Sequence, residues 1–555
     1  MPYLEIVWVL ICSALIFIMQ AGFAMLETGL TRAKNAGNII MKNLMDYCIG
    51  SLLFWIVGFG IMFGDSVGGL MGKPLFFSLD SYTFTAGLPI MVFIMYSAVF
   101  CSTSTTIASG ALAERTSFKG YLIYSAVMSA IVYPVSGHWI WNSGGWLREL
   151  GFHDFAGGTA VHAVGAAAAF AGAAIVGPRI GKFDEKGKPR AIPGHNLTLA
   201  ALGIFILWFG WFGFNGSSVI LRKDGFDPEA LGGIFFNTNI SAAACAAATM
   251  LITWVRYGRS DVSMTLNGAL AGLVAITCGC DVVSPVGALC IGVISAFVLV
   301  FGVELIMKLK VDDPVGAVSV HGLCGAAGSI LTGVFSKETG VLYTDSFGGL
   351  GIQILGVLAA VCWSGLVMTG LFLLLKYTVG LRVSEETEIS GLDRGEHGLA
   401  SSYADFTGPI DMTSGKNAER SVIRAIDEST ELNLSDYKAD GKIRKVVVVM
   451  NASKFDTLRK ALDKLDITGM TVYQVNGCGI QKGRSVMYRG AEYESALLPK
   501  LKVEIVISTV PLGLLVDTLK KVLYTGKVGD GKIFVYEVEN VIKIRTGEEG
   551  RDALV

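Results

Sequence analysis

The chain has 555 residues, 52% of them hydrophobic and only 16% charged, with a formal net charge of -1. Soluble domains carry roughly 25% charged residues, so the deficit points to lipid, and the near-neutral balance excludes a strongly basic nucleic-acid binder. Lys, Arg, Asp and Glu are sparse up to about Lys376 and dense from Arg382 onward, so two physical environments are joined in one chain.

A helix needs about 20 apolar residues to cross the hydrocarbon core of a bilayer. The apolar runs predict eleven spans, at about 6–29, 44–64, 88–112, 119–141, 155–177, 198–220, 231–255, 263–279, 284–307, 315–335 and 348–376. No basic residue precedes the first run, which is expected to be a retained helix and not a cleaved signal. The 69 glycines suit close helix–helix approach through small-residue faces. Arg32, Lys34, Lys42, Arg115, Lys119, Arg179, Lys182, Lys186, Lys188, Arg190, Arg256, Arg259, Lys308 and Lys310 lie in the loops after odd-numbered spans. Lys73, Arg148, Arg222, Lys223 and Lys337 belong to the other side. By the positive-inside rule the N-terminus is outside and the charged C-terminal part cytoplasmic. Nine of the ten cysteines lie in or beside apolar segments and read as small buried hydrophobes; Cys278-Gly279-Cys280 is the one close pair and resembles no zinc spacing.

One segment of the chain echoes another. Asp154-Phe-Ala-Gly-Gly-Thr-Ala-Val-His162 and Asp313-Pro-Val-Gly-Ala-Val-Ser-Val-His321 share the pattern Asp-x-x-Gly-x-x-x-Val-His. Related halves of this kind, a pseudo-twofold inverted repeat, place a site where they meet. Each Asp stands at the start of a span, where a carboxylate caps a helix, and eight residues at 1.5 Å each put the His about 12 Å deeper. Intramembrane ionisable groups are functional by default. The plainer alternatives are two separate histidines satisfied by backbone carbonyls or Ser, or a histidine pair on a metal. Asp154 and Asp313 read first as helix braces, and Asp154 also as an electrostatic influence on a nearby cation.

These segments, with Gly165, Trp211-Phe-Gly-Phe-Asn-Gly-Ser-Ser218, Val311-Asp-Asp-Pro314, Gly380-Leu-Arg-Val-Ser-Glu-Glu and Gly391-Leu-Asp-Arg-Gly-Glu-His-Gly398, resemble the ammonium transporter (Amt) family over about residues 5–405. The resemblance implies an external vestibule at Trp141, Phe100 and Ser218, a gate of Phe100 and Phe214, and paired pore histidines at His162 and His321. Tyr96 stands where many relatives have Phe, and Trp139 and Trp146 rival Trp141 for its position. The implied activity is conduction of ammonia derived from ammonium; the alternative is an ammonium receptor with little flux. Ordinary interface or core packing is the competing reading of each aromatic.

Residues 381–441 read as a cytoplasmic tail and linker between a membrane domain at 1–380 and a soluble domain at 442–555. In the soluble domain, strands at 446–450, 470–475, 503–508 and 533–537 with helices at 454–465 and 512–523 predict a ferredoxin-like α+β fold of βαββαβ order. Gly469-Met-Thr471, Gln481-Lys-Gly483, Tyr488-Arg-Gly-Ala-Glu-Tyr493, Leu498-Pro-Lys500, Thr525-Gly-Lys-Val-Gly-Asp-Gly-Lys-Ile-Phe534 and Ile544-Arg-Thr-Gly-Glu548 resemble the PII nitrogen-signalling family over about 443–553. That resemblance implies ATP or ADP in clefts between subunits of a trimer. Gly529, Asp530, Gly531, Lys532 and Arg545 would lie at the phosphates, with Thr471 at the adenine and Gln481 and Lys500 at Mg-ATP and 2-oxoglutarate. The regulatory loop would carry Tyr488, Arg489 and Tyr493. Asn451 and Ile480 depart from a usual Lys and Arg, and Lys543 from a usual Arg; Lys lacks the bidentate fork of Arg. Lys527 and Glu548 read as solvated charges. With no P-loop, any ATPase of this domain would be slow and regulatory, and the chain is not expected to be an enzyme. The expected assembly is a homotrimer, multi-pass in the plasma (inner) membrane, with ammonium, nucleotides and lipid as partners and no nucleic acid.

Overall fold

The computed structural model describes residues 3–74, 76, 87–221, 227–399, 402–403, 437, 441–467, 469–477, 485–488, 491–494, 498–526 and 529–554. They fall into two compact units, Met1–His397 and Gly398–Val555.

Among the described residues of the first unit, ten helices are long and apolar enough to cross a membrane: α1 (Tyr3–Leu30), α2 (Ala33–Phe63), α3 (Ile90–Ala111), α4 (Phe118–Glu149), α5 (Gly158–Val176), α6 (Leu197–Ile220), α7 (Pro228–Tyr257), α9 (Pro285–Lys308), α10 (Val318–Phe335) and α11 (Gly348–Tyr377). The shorter apolar α8 (Val262–Ile276) makes the eleventh predicted span. Apolar side chains such as Phe205, Leu358 and Leu366 are exposed on the outside, while Ser102, Thr103, Ser104, Thr105, Thr106 and Ser109 of α3 are buried. That inversion of the water-soluble pattern needs a hydrocarbon surround. The small-residue faces hold: a Cβ on Gly29 of α1 would meet Ala200 N of α6 at 2.5 Å, and one on Gly203 of α6 would meet Gly22 O at 2.6 Å.

One expectation changes. The second span begins at Ala33 and not near residue 44, so Lys42 is a buried helical residue and not a loop charge; its Nζ donates to Thr116 O at 3.3 Å. Two of the basic loop residues that orient the chain, Arg179 and Arg32, are also paired in a largely buried network. Arg179 donates to Asp312 Oδ2 at 2.7 Å and to Glu114 Oε1 at 3.0 Å, and Arg32 also bonds Glu114. The two guanidiniums overcome burial and hold the Glu114 carboxyl below the usual range, and Arg179 with Arg115 does the same for Asp312. The tail returns to this face through the short helices α12 (Glu385–Ser390) and α13 (Leu392–His397). Arg382 bonds Glu388 at 2.7 Å, and Asp393 accepts from Gly37 and Asn38 N–H.

The second unit has the ferredoxin-like order. Strands β1 (Arg444–Met450), β2 (Met470–Gly477), β3 (Leu498–Ile507) and β4 (Gly531–Glu537) form one antiparallel sheet in the spatial order β4-β1-β3-β2. Helices α14 (Phe455–Asp463) and α15 (Leu512–Leu523) cover it. The predicted apolar stripe Phe455, Leu458 and Leu462 is buried with Val446, Val448, Leu515 and Leu519. Ser485–Tyr488 and Ala491–Glu494 pair as a separate two-stranded ribbon.

Candidate functional site

The two echoing segments build the same local structure. Each span opens on a π-helical turn, Gly158–Ala163 and Val318–Leu323, that contains the histidine. Asp154 accepts hydrogen bonds from the N–H groups of Gly157, Gly158, Thr159 and Ala160 at 2.8–2.9 Å. Asp313 accepts from Gly316, Ala317 and Val318 at 3.1, 3.0 and 2.7 Å. These are the amides that a helix start leaves unsatisfied. The shared Gly explains itself. Gly157 has φ +105° and Gly316 φ +85°, a left-handed turn that bends the chain into the helix beneath its own capping carboxylate. Because the helix begins only at this glycine, each histidine sits about one turn inside its span and not two.

That placement brings the imidazoles together. His162 and His321 are both buried, their Nδ1 atoms 3.2 Å apart and their rings 5.2 Å apart at 24°. An Nδ1–Nδ1 hydrogen bond needs one ring to donate and the other to accept. A neutral pair then presents one Nε2–H donor and one bare Nε2 acceptor. His162 Nε2 is buried with no protein partner among the described residues. Trp211 stacks on His162 at 5.1 Å and donates its indole N–H to Thr277 Oγ1 at 2.9 Å, fixing the ring that fixes the imidazole.

Phe214 lies 5.5 Å from His162, and Phe100 lies on Phe214 at 4.3 Å. Beyond Phe100 is a cavity lined by Phe93, Tyr96, Ser97, Tyr133 and Trp141 among others. Trp141 meets Phe100 edge-on at 6.2 Å and donates its N–H to Asp154 O at 2.7 Å. Its rivals are elsewhere: Trp139 donates to Leu70 O and packs on Trp146 and Trp363. Tyr96, the departure from the Amt pattern, shares a hydrogen bond with Ser218 at 3.1 Å. On the opposite side of the imidazoles a second cavity is lined by Phe23, Glu27, Asn267 and His321 with apolar neighbours. Tyr133 and Glu27 line these cavities and Trp211 stacks on His162, and no local signal in the sequence marks them. Trp211 lies inside a quoted motif, but nothing local sets its ring apart from core packing.

In the second unit the chain gathers only part of its candidate site. Lys500 Nζ donates to Asn451 Oδ1 at 2.5 Å and to Gly529 O at 2.7 Å. Partial burial lowers the proton affinity of that ammonium. Asp530 accepts from Thr525 N at 2.7 Å and from the Thr525 hydroxyl, which holds its carboxyl below the usual range. Gly531 has φ +130°, and a Cβ there would meet Val449 O at 2.0 Å. Lys532 and Arg545 are exposed, and Lys543 pairs with Glu548 at 3.2 Å. Thr471 pairs with Glu504 in the sheet, four residues along β2 from the Val475–Lys500 pair. At about 3.3 Å per residue that is roughly 13 Å, so one chain does not bring Thr471 to Lys500. Gln481, Arg489, Ile480 and Lys527 lie outside the described residues. Of Tyr488 and Tyr493 only the strand positions are described: Tyr488 pairs with Ala491, and Tyr493 with Val486.

Residues 7–402 match the Ammonium Transporter Family and residues 443–548 the Nitrogen regulatory protein P-II. The chain is 44% identical to Ammonium transporter Amt2 of Archaeoglobus fulgidus over 424 residues, 72% of this chain and 88% of that protein. Among solved structures, one titled Sensor Amt Protein superposes with a TM-score of 0.67 at 40% identity, covering 71% of this chain and 98% of its own. Candida albicans Mep2 superposes with a TM-score of 0.64 at 27% identity, covering 69% and 86%. The chain therefore belongs to the ammonium transporter family, as a multi-pass membrane protein with a P-II domain fused at its C-terminal end.

Proposed function

We propose that the protein conducts ammonia derived from ammonium along the line from the Trp141 cavity past His162 and His321. The observation that carries this is the buried imidazole pair, 3.2 Å apart, behind the Phe100–Phe214 stack. Ammonium over Trp141 and Phe100 gains about 0.5–2 kcal/mol, enough to concentrate the ion without trapping it. A bare cation entering an apolar passage costs tens of kcal/mol by idealised solvation estimates, roughly. The ion therefore leaves its proton before the phenylalanines. Ammonia, both donor and acceptor, is handed along by an imidazole pair that offers one Nε2–H and one bare Nε2, and the proton is relayed separately through the pair. Potassium has no proton to give up and is rejected. The basic loops support an outside N-terminus and a cytoplasmic P-II domain at the plasma (inner) membrane.

The P-II domain, in this reading, binds ATP or ADP, with Mg beside Gln481, and 2-oxoglutarate near Lys500, and gates the channel of its own chain. The separation of Thr471 from Lys500 favours clefts completed by a second subunit, and a trimer lets one threefold axis serve both domains. A second reading has support in the similarity to a structure titled Sensor Amt Protein: the site senses external ammonium and signals to the P-II domain with little flux.

Proteoliposomes separate the two. Conduction expects an ammonium-driven current in the wild type, no potassium current, and a loss of at least about 100-fold for His162→Ala, the scale of a lost proton-transfer group. Ammonium binding without current would favour the sensor. Removing residues from 441 onward is expected to abolish the response of flux to nucleotide and 2-oxoglutarate; flux indifferent to those ligands in the full chain would overturn gating.

A further inference from the structure

The second cavity contains a carboxyl group that the scheme above does not use. Glu27 is 2% exposed and lines that cavity together with His321. Phe23, whose ring lies 6.0 Å from the His321 ring, stands one helical turn before Glu27 on α1, so Glu27 lies about 6 Å further along the helix. The other lining residues are apolar apart from Asn267 and His321. The carboxyl is held in place. Ser109 Oγ of α3 donates to Glu27 Oε2 at 2.8 Å, and Asn43 Nδ2 of α2 donates to the same oxygen at 3.1 Å, so neither occupies Oε1. The titratable groups facing it are Lys42 and Asp46 of α2, Tyr121 of α4 and His321 across the cavity. Lys42, whose charge acts on Glu27, gives one of its three N–H donors to Thr116 O and lies 5.0 Å from the Tyr121 ring, while Asp46 accepts from the Tyr121 hydroxyl at 2.6 Å. A carboxylate in such a wall calls for a cation or a proton.

Resting on the transport reading, we infer that Glu27 is a second cation site, where ammonium is re-formed and held before release. The proton left by ammonium in the first cavity reaches His321. The imidazolium releases it across the second cavity to the Glu27 carboxylate, by way of a water that the cavity is large enough to hold. Ammonia arriving past His321 takes that proton from the carboxylic acid, giving ammonium and carboxylate. The ion pair dissociates toward the Leu30 end of α1. Charge and protons balance, with no co-reactant beyond the transported ion.

The test uses the full-length protein. Infrared difference spectra are recorded on exchanging potassium chloride for ammonium chloride at constant pH. The wild type is expected to show a change in the carboxylic C=O band that Glu27→Gln lacks. In proteoliposomes Glu27→Gln is expected to lower ammonium current by at least about tenfold and to flatten its pH dependence, while Glu27→Asp restores part of it. The Gln oxygen still accepts from Ser109 and Asn43, so a group that only braces three helices would leave Glu27→Gln with wild-type current and pH profile; that result overturns the proposal. A wild-type spectrum without any ammonium-induced carboxyl change overturns it too, whether or not the variants fold. Failure of the transport reading shows differently, as wild-type liposomes without ammonium current, and leaves the infrared measurement to judge the site.

Discussion

The membrane unit and the P-II unit hold their polar groups in opposite ways. In the membrane unit His162, His321, Asp154, Asp313, Glu114, Arg179 and Asp312 are mostly or fully buried, and their partners come from the same chain. In the P-II unit Lys500, Asn451 and Gly529 form a partly exposed cluster, while Thr471, Lys532 and Arg545 are exposed. The cause is the solvent. Without water, an unpaired polar group costs several kcal/mol, roughly, so the fold itself must complete each site. At a wet surface the groups stay solvated until a ligand or another subunit arrives.

This contrast can be broken at defined points. The largest effect is expected from Asp312→Asn, which leaves Arg179 without one of its two buried carboxylates; a loss of about 3–5 kcal/mol should lower the melting temperature of the detergent-solubilised protein. A variant as stable as the wild type would show that the network is wetter than its burial implies. Lys500→Ala tests the exposed side. It should leave stability nearly unchanged and weaken ATP or 2-oxoglutarate binding by about 10–100-fold, the worth of one charged hydrogen bond of about 1.5–3 kcal/mol, measured by calorimetry. A large stability loss with unchanged binding would reverse the assignment.

Trp141→Leu should raise the half-saturating ammonium concentration by about 2–30-fold with little change in maximal current, the equivalent of about 0.5–2 kcal/mol of cation–π attraction. The smallest effect is expected from pH. The pKa values of Glu114 and Asp312 are depressed in the folded state, so their contribution is fully present above the unfolded values near 4, roughly, and is lost as pH falls through the lower folded values. Melting temperature should therefore hold between about pH 7 and pH 5 and drop only in stronger acid; a drop already at pH 5 would mean that these carboxyls are not the ones clamped.

Much of this protein is readable from local pattern. Hydropathy and span length are properties of consecutive residues, which is why the eleven spans, the βαββαβ order and the stripe Phe455, Leu458, Leu462 emerge from the chain alone. The capping by Asp154 and Asp313 is equally local, since the carboxylate and its amides lie within six residues. Other features depended on helices packing across long separations. Only the tertiary structure brought together imidazoles 159 residues apart, set Trp141 against Phe100 at the first cavity, put Lys42 inside a helix, and gave Arg179 its buried partners. It also set Glu27 on the wall of the second cavity. Sequence periodicity states which face of a helix is apolar, but which distant polar groups meet there is decided by close packing, because in a dry interior each donor must find its acceptor on another helix.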